Sequence, residues 1–107
     1  MSQSLSISFK VMTKDQLLAT LSEIRPTVIQ EYKADIVGLF GSWARNEQST
    51  TSDIDVLVNF QKGATLLDLS GIVIYLKELF NAKVDVVSES GLREELRSFV
   101  YKDLVRI

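Results

Sequence analysis

The stretch Phe40-Gly41-Ser42-Trp43-Ala44-Arg45-Asn46-Glu47-Gln48-Ser49-Thr50-Thr51-Ser52-Asp53-Ile54-Asp55 decides the reading of this chain. It begins where one apolar run, Ile36-Val37-Gly38-Leu39-Phe40, ends, and it closes where a second, Val56-Leu57-Val58, begins. The order is a short buried strand, a Gly-Ser turn, a polar excursion, and a second strand entered through two carboxylates. Glycine lets a backbone approach a phosphate closely. Ser42 offers an N–H and a hydroxyl to phosphate oxygens, and a helical turn over residues 43–46 would aim further N–H groups at the same place. Asp53 and Asp55 are two apart on a strand, so they share a face, roughly 6–7 Å apart at the backbone. A phosphate-sized turn beside paired carboxylates supplies the parts that hold a metal–nucleoside triphosphate. Each part alone has a plainer reading: a simple turn, and an edge strand with two exposed carboxylates.

Outward from this stretch, periodicity gives the remaining elements. Thr13 with Gln16 three residues on forms a capping box that opens a helix. Leu17, Leu21, Ile24, Val28 and Tyr32 make its apolar stripe, and Pro26 should kink or split it. Strands are expected over residues 36–40 and 53–60, joined through the polar residues 48–52. Residues 61–64 form a loop, and Thr65 with Asp68 starts a second helix. Leu66, Leu69, Val73, Leu76 and Phe80 keep its apolar face. Residues 83–88 make a third strand. A last helix from Leu92 carries Leu96, Phe99 and Val100 inward, with Glu94, Glu95 and Arg97 outward. Residues 1–12 alternate, with Leu5, Ile7, Phe9 and Val11 against Ser4, Ser6, Ser8 and Lys10. They form an added edge strand or a flexible tail. The sum is a small α/β (α+β) domain with a mixed β-sheet flanked by helices.

Composition narrows the chemistry. The chain has 107 residues, the length of one domain with a modest core. A net charge of −2 argues against a surface built mainly for nucleic acid. There is no cysteine, and so neither a disulfide framework nor a Cys-based zinc site. There is no histidine, which removes the usual general base and the commonest transition-metal ligand. Any metal must sit on oxygen ligands, which favours Mg²⁺ or Mn²⁺. No apolar run is long enough to cross a bilayer and no signal peptide is visible, so no membrane partner is expected and the default address is the cytoplasm.

Asp85 stands in Lys83-Val84-Asp85-Val86-Val87, an otherwise apolar strand. A carboxylate there is costly to bury unless it meets a metal or a partner. With Asp53 and Asp55 it could complete a triad that ligates metal and draws a proton from an attacking hydroxyl. The plainer reading is an Asp on the solvent face of an edge strand.

With these residues in place, Phe40-Gly41-Ser42-x-Ala44-Arg45, Asp53-Ile54-Asp55 and Asp85 resemble the minimal nucleotidyltransferase domain, a branch of the DNA polymerase β-like superfamily. The likeness runs from about Asp15 to the C-terminus, which makes residues 13–107 the nucleotidyltransferase domain. It implies two Mg²⁺ ions on Asp53, Asp55 and Asp85, with Asp85 also the base. It implies ATP as substrate, its β/γ-phosphates held at Gly41 and Ser42, and Arg45 near the triphosphate or on the surface. The reaction implied is transfer of a nucleoside monophosphate to a hydroxyl with release of pyrophosphate. Where Asn46 stands the family often has glycine; Asn tolerates left-handed backbone angles better than most residues. Where Trp43 stands it often has a basic or small residue; Trp43 could pack in the core, stack on a purine or meet a partner. Lys83 shares the face of Asp85, and Tyr101 reads as packing.

Larger members of this superfamily add acceptor-binding domains, and none is visible here, so the acceptor is expected to come on another polypeptide. The resemblance to small stand-alone members implies an antitoxin that adenylylates a tyrosine of a HEPN-domain ribonuclease toxin, in a hetero-oligomer. The alternatives are a non-catalytic antitoxin that occludes the toxin, and a nucleotidyltransferase for a small-molecule or RNA acceptor.

Overall fold

The computed structural model describes residues 12–107, so the expected N-terminal strand or tail lies outside the described residues. The first helix, α1 (Lys14–Tyr32), starts at the predicted capping box. The Gln16 amide donates to Thr13 Oγ1 at 3.1 Å, and the Thr13 amide donates to Gln16 Oε1 at 2.9 Å. Leu17, Leu21 and Val28 are fully buried, with Ile24 and Tyr32 packed beside them. Pro26 does not split this helix, which runs as one element through it. It lies on the exposed side, as does Ser22, whose carbonyl loses the Pro26 partner, and water can take up that bond.

Strand β1 (Ala34–Phe40) leads into a one-turn helix, α2 (Gly41–Ala44). Strand β2 (Ile54–Phe60), helix α3 (Leu66–Phe80) and strand β3 (Val84–Ser88) follow. Helix α4 (Glu94–Asp103) and a two-residue strand, β4 (Val105–Arg106), end the chain. The sheet order is β3-β2-β1-β4. The β2–β3 pair is parallel, bridged by α3, and the other two pairs are antiparallel. The architecture is therefore the expected small mixed sheet flanked by helices.

One face of the sheet presents Ile36, Leu39, Ile54, Val56, Val58 and Val84 to the buried stripes of α1 and α3. Full burial of such side chains contributes roughly 1.5–3 kcal/mol each. Between Ile36 and Gly38 the β1–β2 register slips by one residue. Before this bulge Ala34 and Ile36 face the core; after it Leu39 does, and Phe40 turns to the opposite face. That change of phase brings the end of β1 against Asp55.

Three expectations are corrected. Leu66 is 79 % exposed, because the buried stripe of α3 runs Ile72, Leu76, Phe80 and a separation of six residues carries Leu66 round the helix away from it. On α4 only Val100 is buried; Phe99 is 72 % exposed and Leu96 is also exposed. This helix packs on β1 and α2 along a narrow contact, and Phe99 lies about 100° round from Val100. Strand β4 was not anticipated, since two residues carry no periodic signal. Its backbone crosses β1 at Gly38, where a Cβ would lie 2.9 Å from the Val105 carbonyl carbon.

Candidate active site

Sheet register assembles the site. Asp55, the second residue of β2, is paired with Phe40 on one side and with Asp85 on the other. Paired neighbours share a face, so Asp55 and Asp85 stand side by side on the face opposite the core. Asp53 comes one residue before β2 and is exposed, as is Asp85. Asp55 is half-buried. Its carboxyl is pushed from 3.8 up to about 6, first by burial, then by the charges of Asp85 and Asp53, with Arg45 acting in the opposite direction.

Gly41 follows Phe40 with φ +76°, in the region that favours glycine. A Cβ at this position would overlap the Asp55 carboxylate, lying 3.0 Å from its Cγ. The residue is thus required twice, for its backbone angle and for its close approach to the acidic rung. The helical turn starts at once, at Gly41, rather than over 43–46 as the sequence suggested. The chain must turn directly after the residue that abuts Asp55.

Within α2 the carbonyls are accounted for one by one. Gly41 O accepts from the Arg45 amide at 3.1 Å, Ser42 O from Glu47 at 2.9 Å and Trp43 O from Asn46 at 3.2 Å. Ala44 O accepts from Lys14 Nζ at 2.8 Å. The opening N–H groups of a helix have no partner within it. Asn46 adopts φ 60°, the left-handed angle expected where the family often has glycine. Trp43 packs against the core. With Gln48, Ser52, Phe80 and Asn81 it lines a cavity of about 650 Å³. Its indole Nε1 is buried without a hydrogen-bond partner, as is Gln48 Oε1.

Arg45 does not extend over the acidic rung. Its guanidinium pairs with Asp103 of α4 at 2.7 Å and with Glu47 at 3.0 Å. Lys83 is exposed, and its carbonyl receives the Ile54 amide at 2.9 Å where β2 and β3 begin. The Tyr101 hydroxyl donates to the Glu89 carboxylate, beyond the far end of β3. Lys14 and Asp103, which hold the turn, were missed in the sequence. They lie 30 and 58 residues from their partners, and no local spacing announces such contacts.

The donor set suits a hard divalent cation: oxygen ligands only, with Asp55 held among like charges that a cation would neutralise. The cage is not preformed. Among the described residues no three acidic side chains converge closely enough to hold a metal ion. Asp53, Asp55 and Asp85 suit such an ion in chemistry and lie near enough for the charges of Asp53 and Asp85 to act on Asp55, but their side chains do not converge. Among the described residues no helix is long and apolar enough to cross a membrane.

Residues 21–107 match the family described as the nucleotidyltransferase domain. A Methanocaldococcus jannaschii protein designated a candidate protein adenylyltransferase is 34% identical over 98 residues, covering 84% of this chain and all of that one. A solved structure described as a candidate minimal nucleotidyltransferase superposes with TM-score 0.77 at 35% identity, covering 91% of this chain and 98% of the other. A chain from a crystal structure of a toxin–antitoxin with AMP-PNP shares the fold at TM-score 0.57 and 22% identity, covering 71% of this chain and 62% of its own.

Proposed function

The chain belongs to the nucleotidyltransferase domain family, and on that footing we propose that it transfers AMP from ATP to a tyrosine hydroxyl of a HEPN-domain ribonuclease toxin, for which it is the antitoxin. The observation that carries the reading is the rung Phe40–Asp55–Asp85 with Gly41 against the Asp55 carboxylate. It sets the first turn of a helix, whose opening N–H groups have no partner within the helix, beside the acidic face of the sheet. The relative designated a candidate protein adenylyltransferase supports the group transferred, and the toxin–antitoxin fold neighbour with AMP-PNP supports the partner class and the nucleotide.

In this reading Gly41 and Ser42 hold the β- and γ-phosphates through backbone N–H groups and the Ser42 hydroxyl. Asp53, Asp55 and Asp85 would hold two Mg²⁺ ions. When bound, such ions neutralise triphosphate charge and orient the displaced group. Arg45, held by Asp103 and Glu47, lies at the same end of the sheet, close enough for its charge to act on Asp55. The acceptor oxygen bonds to the α-phosphorus, and the bond to the departing pyrophosphate breaks with its electron pair on that group. The acceptor proton passes to Asp85.

The test is incubation with the toxin and ATP labelled at the α-phosphate. Label on a toxin tyrosine with wild type, lost in Asp53→Ala and Asp55→Ala, is the expected result. No transfer by wild type, or equal transfer by both variants, would sink the proposal. A second reading, neutralisation by occlusion, is favoured by the exposed apolar side chains Leu66, Leu67 and Phe99. Neutralisation retained by an Asp53/Asp55/Asp85→Ala triple variant would select it.

A further inference from the structure

We infer that Lys14 is a positioning residue for the nucleotide turn, acting through the Ala44 carbonyl; the inference rests on the reading that Gly41 and Ser42 hold the triphosphate. Three of the four α2 carbonyls find backbone donors within the next few residues. The fourth, Ala44 O, finds the Lys14 ammonium at 2.8 Å in a partly buried contact. No other hydrogen bond joins α1 to this turn among the described residues. A one-turn helix has too few internal bonds to fix its own orientation. Its aim must therefore come from outside.

Lys14 stands where local rules disfavour it. It is the first residue of α1, and the positive end of a helix repels a cation. A local conflict of this kind calls for a compensating contact elsewhere, and the charge-assisted bond to Ala44 O supplies one. The anchor is also rigid. Leu17 and Leu21, the next residues along the same helix to enter the core, are fully buried. Lys14 thus ties the turn to the core layer, while Asp103 holds the adjacent Arg45 from α4 on the other side.

The turn carries its own reporter, since Trp43 is the one tryptophan in the chain. Titration with Mg·AMP-PNP, followed by Trp43 fluorescence and by calorimetry, measures nucleotide affinity without any acceptor. Lys14→Met is expected to bind about tenfold more weakly than wild type, the size of one charge-assisted hydrogen bond. Its Trp43 emission shifts in the free protein, its far-UV circular dichroism is unchanged, and Lys14→Arg restores affinity to within about threefold of wild type. Equal affinity in wild type and Lys14→Met, or Lys14→Arg as weak as Lys14→Met, overturns the positioning role alone. Should Lys14→Met fail to fold, the comparison passes to Lys14→Gln and Lys14→Arg. Equal affinity of wild type, Lys14→Gln and Lys14→Arg then overturns it. No binding by wild type overturns the underlying reading of the turn, and the positioning role with it.

Discussion

Replacing Asp55 by Asn should make the metal-free protein more stable at neutral pH while abolishing transfer. The carboxyl titrates at about 6 in the fold against 3.8 as its ordinary value. The folded state therefore holds this proton more tightly than the unfolded chain does. Stability from this group is fully present below pH 3.8, declines as pH rises through the window to about 6, and is absent above it. At 1.36 kcal/mol per pH unit the rise corresponds to a ceiling of roughly 3 kcal/mol. Asp55 is partly exposed, so solvent screening reduces this to about half, roughly 1.5 kcal/mol. In a domain of this size that raises Tm by roughly 6–12 °C. The assay is thermal unfolding of wild type and Asp55→Asn in EDTA, at pH 7.5 and at pH 4. The advantage of the variant should be full at pH 7.5 and nearly gone at pH 4. A variant less stable than wild type at pH 7.5, or an advantage equal at both pH values, would refute the reasoning from burial and like charge.

Gly41→Ala must accept both a left-handed backbone angle and an overlap with the Asp55 carboxylate; a loss of about 2–4 kcal/mol in urea unfolding, together with loss of AMP-PNP binding, is expected. Pro26→Ala restores a helix N–H on the exposed side of α1 and should stabilise by about 1–3 kcal/mol, read as a higher urea midpoint at unchanged slope. Phe99→Ser should change stability by less than about 0.5 kcal/mol, whereas Val100→Ala, one residue on, should cost about 1–2 kcal/mol; comparable losses would mean that Phe99 is inward after all.

Signals confined to a few residues were legible in the sequence. The capping box of Thr13 with Gln16 and the helix start at Thr65 with Asp68 lie where their residue types placed them. The buried stripe of α1 followed its period, and the alternation of β2 placed Asp55 opposite Ile54 and Val56. What the sequence withheld was set between elements. Strand β4 forms because the chain returns to Gly38, not because Val105-Arg106 has a pattern. Phe99 looked inward because a helical period was applied to a ten-residue helix that contacts little else. The resemblance places Arg45 near the triphosphate or on the surface, and no local spacing announces Asp103, 58 residues away, as the partner of its guanidinium.

The bulge between Ile36 and Gly38 explains why stability and chemistry can coexist so closely in this sheet. Ile54 and Val56 are buried on one face while Asp55 between them stands on the other. A slip of one residue in β2 would exchange the two sets, sending the carboxylate into the core and two aliphatic side chains out of it. The core therefore enforces the register on which the acidic rung depends. On β1 the requirement is different: Leu39 must remain inward while Gly41 reaches Asp55. With uninterrupted alternation, inward Ala34 and Ile36 would bring Gly38 and Phe40 inward and leave Leu39 on the acidic face. The extra residue at the bulge reverses that phase. Val37 is that extra residue, and deleting it leaves Gly38 outward, Leu39 inward and Phe40 opposite Asp55 in regular alternation with Ile36, so AMP-PNP binding and cooperative unfolding should both survive the deletion. A deletion variant that unfolds cooperatively but no longer binds nucleotide would show that the phase of β1 is not enough to bring Gly41 to Asp55.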